Sequence, residues 1–378
     1  MKQLDLMIYI QHNFFKIQSV IPSLKYRNLT MTLEGIVHDL PSDIIEDLQT
    51  QSECIRNVNL VNFDRMNAIL AVSVLNNITK LTILNYRHEN DVLGIVDLQH
   101  LRHLELINSI PFAEIINNQD LRILKVYGGF NTRNRFSENY NDLSAGLNNF
   151  LMKCKHLKDL TLSNIQISNP NLKTDLFDFN LDALMIESFN FDEENLIKFL
   201  VNQKKSLKKL AILNNPPKSI ISVIIFSQLS LDELEIDVGI ISSSFNPLIV
   251  NKTIKKITIR SILDQSYQNR QFFVLNHGVM DIQPQTAVSK VAIEKIISTC
   301  HAVEEFIILE ISFESLLQHL NSNLHNLKTL KLSELPKFNS PTIEFDKLEV
   351  IEIDKISKSA RHRKLSVFGH LQSKFANT

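Results

Sequence analysis

The chain has 378 residues, 44% of them apolar, with 40 basic and 41 acidic side chains and a formal net charge of -1. That length suits two or three compact domains or one long repeat array, and the balanced charge argues against a dedicated nucleic-acid binder. Three cysteines are too few for a disulfide framework and suit a reducing compartment, cytoplasmic or nuclear.

Taken in chain order, the first fifteen residues (MKQLDLMIYIQHNFF) lack the features of a signal peptide: Asp5 interrupts a short apolar run and no small-residue cleavage site follows. Residues 1–23 are expected to form an N-terminal cap. From residue 24 a short pattern begins, apolar-x-x-apolar-x-apolar, and it returns throughout. Its first copies are Tyr26, Leu29, Met31 and Ile55, Val58, Leu60. Between them, 41–51 (PSDIIEDLQTQ) reads as a helix, with proline near the start and acids in the first turn. A second helical run, 65–77, leads to Ile78, Leu81, Ile83, then Leu101, Leu104, Leu106 and Leu121, Leu124, Val126.

A first insertion near 127–145 (YGGFNTRNRFSENYNDLSA) precedes a helical run at 143–154 and the copy Leu157, Leu160, Leu162. Then come Leu181, Leu184, Ile186, a helical run at 192–203, and Leu207, Leu210, Ile212. The longest apolar stretch, IISVIIFS at 220–227, is far too short to span a bilayer, so no membrane span is expected. Leu231, Leu234, Ile236 and Ile254, Ile257, Ile259 follow. A second insertion fills 261–290, within which FFVLNHGVMDI reads either as looped-out chain or as a degenerate unit. The last copies are Val303, Phe306, Ile308, then Leu327, Leu330, Leu332 and Leu348, Ile351, Ile353. Residues 355–378 form a basic tail in which RHRKLS resembles a basophilic kinase site at Ser366.

A pattern this loose arises by chance on the order of fifteen times in such a chain, so its count decides nothing. Its spacing does: ten of the twelve start-to-start steps lie between 20 and 29 residues. The intervening positions are polar, as in LRHLEL, LKDLTL, LDELEI and LKTLKL. The fourth and sixth positions are two apart, so they share one strand face and point into a core while the fifth points away. Strand, turn and helix repeated in this way predict a parallel sheet lining the inside of a curved solenoid, with helices outside.

These units resemble the leucine-rich-repeat superfamily over residues 24–354, closest to its irregular, helix-backed type, ribonuclease-inhibitor-like and F-box-associated. They are also similar to the divergent members that yeasts carry in expanded families. One departure stands out. The family's asparagine or cysteine belongs at the ninth position; here Asn62, Asn85, Asn108, Asn164 and Asn214 occupy the eighth. The resemblance implies an α/β leucine-rich-repeat solenoid of about thirteen units and a non-enzymatic protein-binding role. By the same family analogy, DLPSDIIEDL at 39–48 resembles the opening of an F-box, which implies a substrate receptor of a ubiquitin ligase with a Skp1-type contact. The next unit begins at Ile55, leaving no room for a full F-box, so a shortened or lost one is the form this alternative takes.

Catalytic signals are lacking. There is no Gly-x-Gly-x-x-Gly, phosphate loop, Cys-x-x-Cys or His-Glu-x-x-His, so no enzyme, cofactor or metal is expected. Cys154 and Cys300 sit at one shared offset, three residues before a unit, and read as buried structural thiols, as does Cys54.

Positions two, three, five and seven of each unit are expected on the open sheet face. In the C-terminal half their sign alternates from strand to strand: Lys208-Lys209, Asp232-Glu233, Lys255-Lys256, Glu304-Glu305. That half reads as self-neutralised, provided the 261–290 insertion adds no strand. The N-terminal half presents Arg56, Lys80, Arg102, His103, Arg122, Lys125, Tyr127 and Lys158, opposed by Glu105 and Asp159. The first insertion adds Arg133, Arg135, Phe136 and Tyr140. Arginine with tyrosine is the chemistry of interface anchors, so this face is the candidate docking site for an acidic protein segment.

Overall fold

The computed structural model describes residues 4–9, 29–34, 46, 49, 52–53, 55–61, 75, 77–84, 96–109, 116–128, 140–165, 177–187, 193–213, 219–237, 250–260, 285–309, 316–334 and 345–355. The chain divides into two compact units, residues 1–196 and 197–378.

In the first unit the sheet order is β1 (Leu4–Tyr9), β2 (Leu29–Glu34), β3 (Ile55–Val61), β4 (Lys80–Leu84), β6 (His103–Ile107), β8 (Ile123–Tyr127), β9 (Asp159–Ser163) and β10 (Ala183–Glu187). Every neighbouring pair is parallel. The register aligns like positions: Leu81 beside Leu104, Leu106 beside Val126, Leu160 beside Leu184. Residues 1–23, the expected cap, contain β1, so the ladder begins one strand before the first copy counted from sequence. Two short strands, β5 (Val96–Asp97) and β7 (Ile116–Asn117), form a separate parallel pair that no sequence pattern announced.

In the second unit β11 (Lys209–Leu213), β12 (Glu233–Asp237), β13 (Lys256–Arg260), β14 (Glu305–Leu309), β15 (Thr329–Glu334) and β16 (Val350–Lys355) run parallel in chain order. The direct pairing of β13 with β14 means that no strand from 261–290 lies between them. The stretch FFVLNHGVMDI lies outside the described residues.

Five described helices supply the second layer: α1 (Tyr140–Lys153), α2 (Glu193–Asn202), α3 (Ser219–Ser227), α4 (Gln285–Thr299) and α5 (Leu316–Asn323). Their buried residues follow helical spacing. Leu147, Phe150, Leu151 and Cys154 repeat at i, i+3, i+4, i+7, and so do Leu196, Phe199, Leu200, Gln203 and Ile293, Ile296, Ile297, Cys300. Glu193 and Glu194 complement the N-terminal end of α2. Positions one, four and six are sealed in the central strands of each unit: Leu101, Leu104, Leu106 and Ile254, Ile257, Ile259 are all 0% exposed. Each such side chain contributes about 1.5–3 kcal/mol by leaving water. Each unit is therefore a leucine-rich-repeat solenoid, one parallel strand per repeat, backed by helices. Of the expected helices at 41–51 and 65–77, nearly all lies outside the described residues.

Two backbone devices stack the repeats. The second-position amides donate to the second-position carbonyls of the preceding repeat, from Thr79 to Arg56, Arg102 to Thr79, Arg122 to Arg102 and Lys158 to Arg122, all at 2.7–2.9 Å. At the other strand end, the eighth-position amides of Asn108, Gly128 and Asn164 donate to Tyr127, Ser163 and Glu187 of the following strand, each at 2.8 Å. Asn108 and Asn164 hold φ of 53° and 55°, the left-handed region that asparagine tolerates better than most residues. This explains the two displaced asparagines that are described: Asn108 and Asn164 end the strand and turn the chain out of the sheet.

Candidate functional site

The open face of the first unit is built from alternate strand residues, in rows fixed by the register. Row three reads Asn57, Lys80, His103, Ile123, Asp159 across β3, β4, β6, β8 and β9. Row five reads Asn59, Thr82, Glu105, Lys125, Thr161. Row seven reads Val61, Leu84, Ile107, Tyr127, Ser163. At the β2 side the face is neutral and closed on itself, since Asn57 and Asn59 donate to the Thr30 and Thr32 hydroxyls at 3.1 and 3.0 Å.

The basic residues expected here separate into two groups. Arg56, Arg102 and Lys158 hold the turns. Arg56 Nη1 donates to the Asn77 carbonyl at 2.7 Å, Arg102 Nη1 to the Gln99 carbonyl at 2.8 Å, and Lys158 Nζ to the Asn180 carbonyl at 3.0 Å. Two carboxylates that the row-by-row reading of the sequence left out also reach them: Asp120 lies 3.7 Å from Arg102, and Asp182 lies 4.0 Å from Lys158. Lys80, Arg122 and Lys125 make no ion pair among the described residues. Glu105, the register partner of Lys125, shares the face with them.

His103 does not act as a cation at neutral pH. Burial, with Lys80 and Lys125 adding to it, lowers its pKa from 6.5 to about 4. Its Nε2 is buried without a hydrogen-bond partner among the described residues. Tyr127 stands at the other end of the charge gradient, its hydroxyl pushed above its usual pKa by burial and by Glu105, Asp159 and Glu187. Ser163 donates to Glu187 at 2.7 Å, so the face turns acidic at β9 and β10. Tyr140 begins α1, while Arg133, Arg135 and Phe136 lie outside the described residues.

The second unit presents the contrasting face. Lys209 pairs with Glu233 at 2.6 Å, Lys256 with Glu305 at 3.2 Å and Lys328 with Glu304 at 2.7 Å. Lys331 lies between Glu305 and Glu352, at 3.8 and 3.2 Å, and Arg260 reaches Glu235 at 2.5 Å. The alternating signs of the sequence have become a cross-strand ladder.

Reactive chemistry is not concentrated anywhere described. Cys154 and Cys300 are buried free thiols; burial pushes Cys154 up to about 12 and raises Cys300 as well. Cys54 lies outside the described residues. No cluster of three or more His, Cys, Asp or Glu able to hold a metal occurs among the described residues, and no described helix is long and apolar enough to cross a membrane.

Two polar residues escaped sequence reasoning. Asn118 and Asn251 are buried at the same offset before a repeat as the two cysteines. Asn118 Nδ2 donates to the Leu98 carbonyl and, at 2.9 Å, to the Leu101 carbonyl. Asn251 Nδ2 donates to the Phe226 carbonyl at 3.1 Å. Both tie one repeat to the backbone of the preceding one.

No family model matches the sequence, and no curated protein does. Among solved structures the chain is similar to the crystal structure of the TLR13–ssRNA13 complex, at 14% identity and a TM-score of 0.46, over 92% of this chain and 52% of that one. The chain thus spans about half the length of that neighbour. Its assignment to the leucine-rich-repeat fold stands on its own strand order and register.

Proposed function

We propose that this protein is a non-enzymatic binding scaffold whose open sheet face over β3 to β8 docks an acidic protein segment. One observation carries the reading. Lys80 in row three and Lys125 in row five stand without an ion-pair partner among the described residues, whereas the lysines of the same rows in the second unit are matched to carboxylates. An unpaired cation on a stiff sheet is ready to meet a partner's charge, and such complementarity gives register and association rate. The irregular, helix-backed subtype fits the uneven repeat lengths. A receptor role in a ubiquitin ligase would need a Skp1-type contact at 39–48, of which Glu46 alone is described.

The test is to reverse all three charges (Lys80→Glu, Arg122→Glu, Lys125→Glu) and compare captured partners by mass spectrometry with those of a Lys208→Glu/Lys209→Glu control. Loss of a specific acidic partner from the triple variant alone supports the reading. Loss from the control alone places binding on the second unit. Capture of Skp1 through 39–48 would favour the ligase role.

A further inference from the structure

The face over β3, β4, β6 and β8 is amphipathic as well as basic. Row seven carries Val61, Leu84, Ile107 and Tyr127 side by side, each half-buried. Lys80 lies in row three on β4 and Lys125 in row five on β8, between the two edges, while the exposed Arg122 stands at the entry to β8, one residue before row three. From these rows we infer that the occupant of the face is an acidic amphipathic α-helix, its apolar stripe on row seven and its carboxylates towards Lys80, Arg122 and Lys125. This inference rests on the binding reading above and narrows it to one kind of partner.

Dimensions select the helix. Rows three and seven are four residues apart along each strand, about 13 Å, and a helix with its side chains is about 10–12 Å across. Four strands span about 14 Å, the length of about ten helical residues. The periods also agree. One helical turn advances about 5.4 Å against a strand spacing of about 4.8 Å, so same-side residues drift by less than about 2 Å over three gaps. An extended peptide lying across the strands repeats its same-side residues every 6.7 Å or so and drifts by about 6 Å. Of the carboxylates that act on Tyr127, Glu105 lies within this footprint, and Asp159 and Glu187 lie on β9 and β10 beyond it.

A displayed library of random 16-residue peptides, selected against the full chain, tests the inference. Enriched sequences should carry Leu, Ile or Phe at i, i+3/i+4 and i+7 with Asp or Glu on the adjoining stripe. Synthesised, they should gain helical circular dichroism on binding. Ile107→Asp, and separately Lys80→Glu/Lys125→Glu, should each weaken them at least tenfold. The charge variant exchanges one charged side chain for another at half-buried positions, so it keeps the test valid should Ile107→Asp fail to fold. Enrichment of acidic peptides that contain proline or bind in extended form overturns the helix and leaves the acidic-segment reading standing. Enrichment of non-acidic peptides, or none beyond the level of the charge variant, overturns both.

Discussion

Lys80 on β4 is the direct register partner of His103 on β6, and the residues flanking this pair in its row are Asn57 and Ile123, neither able to balance its charge. Lys125 adds a second ammonium group near the ring, while Glu105 on the same strand is the register partner of Lys125. Burial and the two lysines favour the neutral imidazole in the folded state, so the unfolded chain holds the proton more tightly. Stability from the neutral ring is therefore complete above about pH 6.5 and is lost as pH falls towards about 4. An NMR titration of His103 should show a midpoint near 4, moving upward in Lys125→Gln. In His103→Gln the thermal midpoint should depend less on pH across that window. A midpoint near 6.5 would mean the ring is not held as described.

The same row position is answered differently in the second unit. Lys256 stands between Glu233 and Glu305 in register. Lys256→Glu sets three carboxylates side by side, and like charges directly opposite on a sheet destabilise. We expect a loss of roughly 0.2–1 kcal/mol, since these groups are partly exposed, shrinking as salt screens the row. Lys80→Glu meets asparagine and histidine instead and should cost nothing measurable while raising the pKa of His103. Urea midpoints of both variants at low and high ionic strength check the contrast. Equal losses would mean that the two faces do not differ electrostatically.

The eighth position makes a sharper distinction between small residues. Asn164→Gly should be close to neutral and Asn164→Ala should cost roughly 1 kcal/mol, because alanine resists a φ of 55°. Gly128→Ala should cost more. A Cβ there runs into the backbone carbonyl oxygen of Asn164, which is part of a turn and has no free end to swing away. Thermal melts of the three variants order these effects. Tolerance of Gly128→Ala would show that the turn has slack.

The strands were legible because two periods coincide. Alternation within each copy picks the buried face, and a 20–29-residue repeat of copies picks out true strands from chance matches. Leu157, Leu160 and Leu162, for example, are each at most 1% exposed. The first strand shows the same signal, since Met1, Leu4 and Leu6 reproduce the pattern ahead of the first copy counted. The β5–β7 pair was illegible: two residues carry no alternation. On the open face, the identities of the basic residues were readable but their engagement was not. Arg102 and Lys158 are drawn to turn carbonyls and to Asp120 and Asp182, contacts set by how each turn folds over the preceding repeat. Sequence position assigns a side chain to a face without saying which neighbour it reaches.

Asn118 extends that point into the core. Its side chain is 3% exposed, donates to the Leu98 and Leu101 carbonyls, and accepts from the Asp120 amide at 2.7 Å. Asn118→Leu preserves volume but removes a partner from two carbonyls and one amide. An orphaned buried polar group costs about 1–3 kcal/mol, so the variant should lose at least that much. Asn118→Asp keeps the acceptor for Asp120 but points a second oxygen at the carbonyls, and it should be worse at neutral pH. Protonation restores one donor, so part of its deficit should return as pH falls through the pKa of the new carboxyl. Hydrogen exchange should localise the loss to the β6 and β8 amides and leave β12 to β14 protected, because neighbours in a repeat array couple most strongly to each other. If Asn118→Leu matched the parent protein in urea, water would have to replace the amide, and the side chain would be a passenger in the stack.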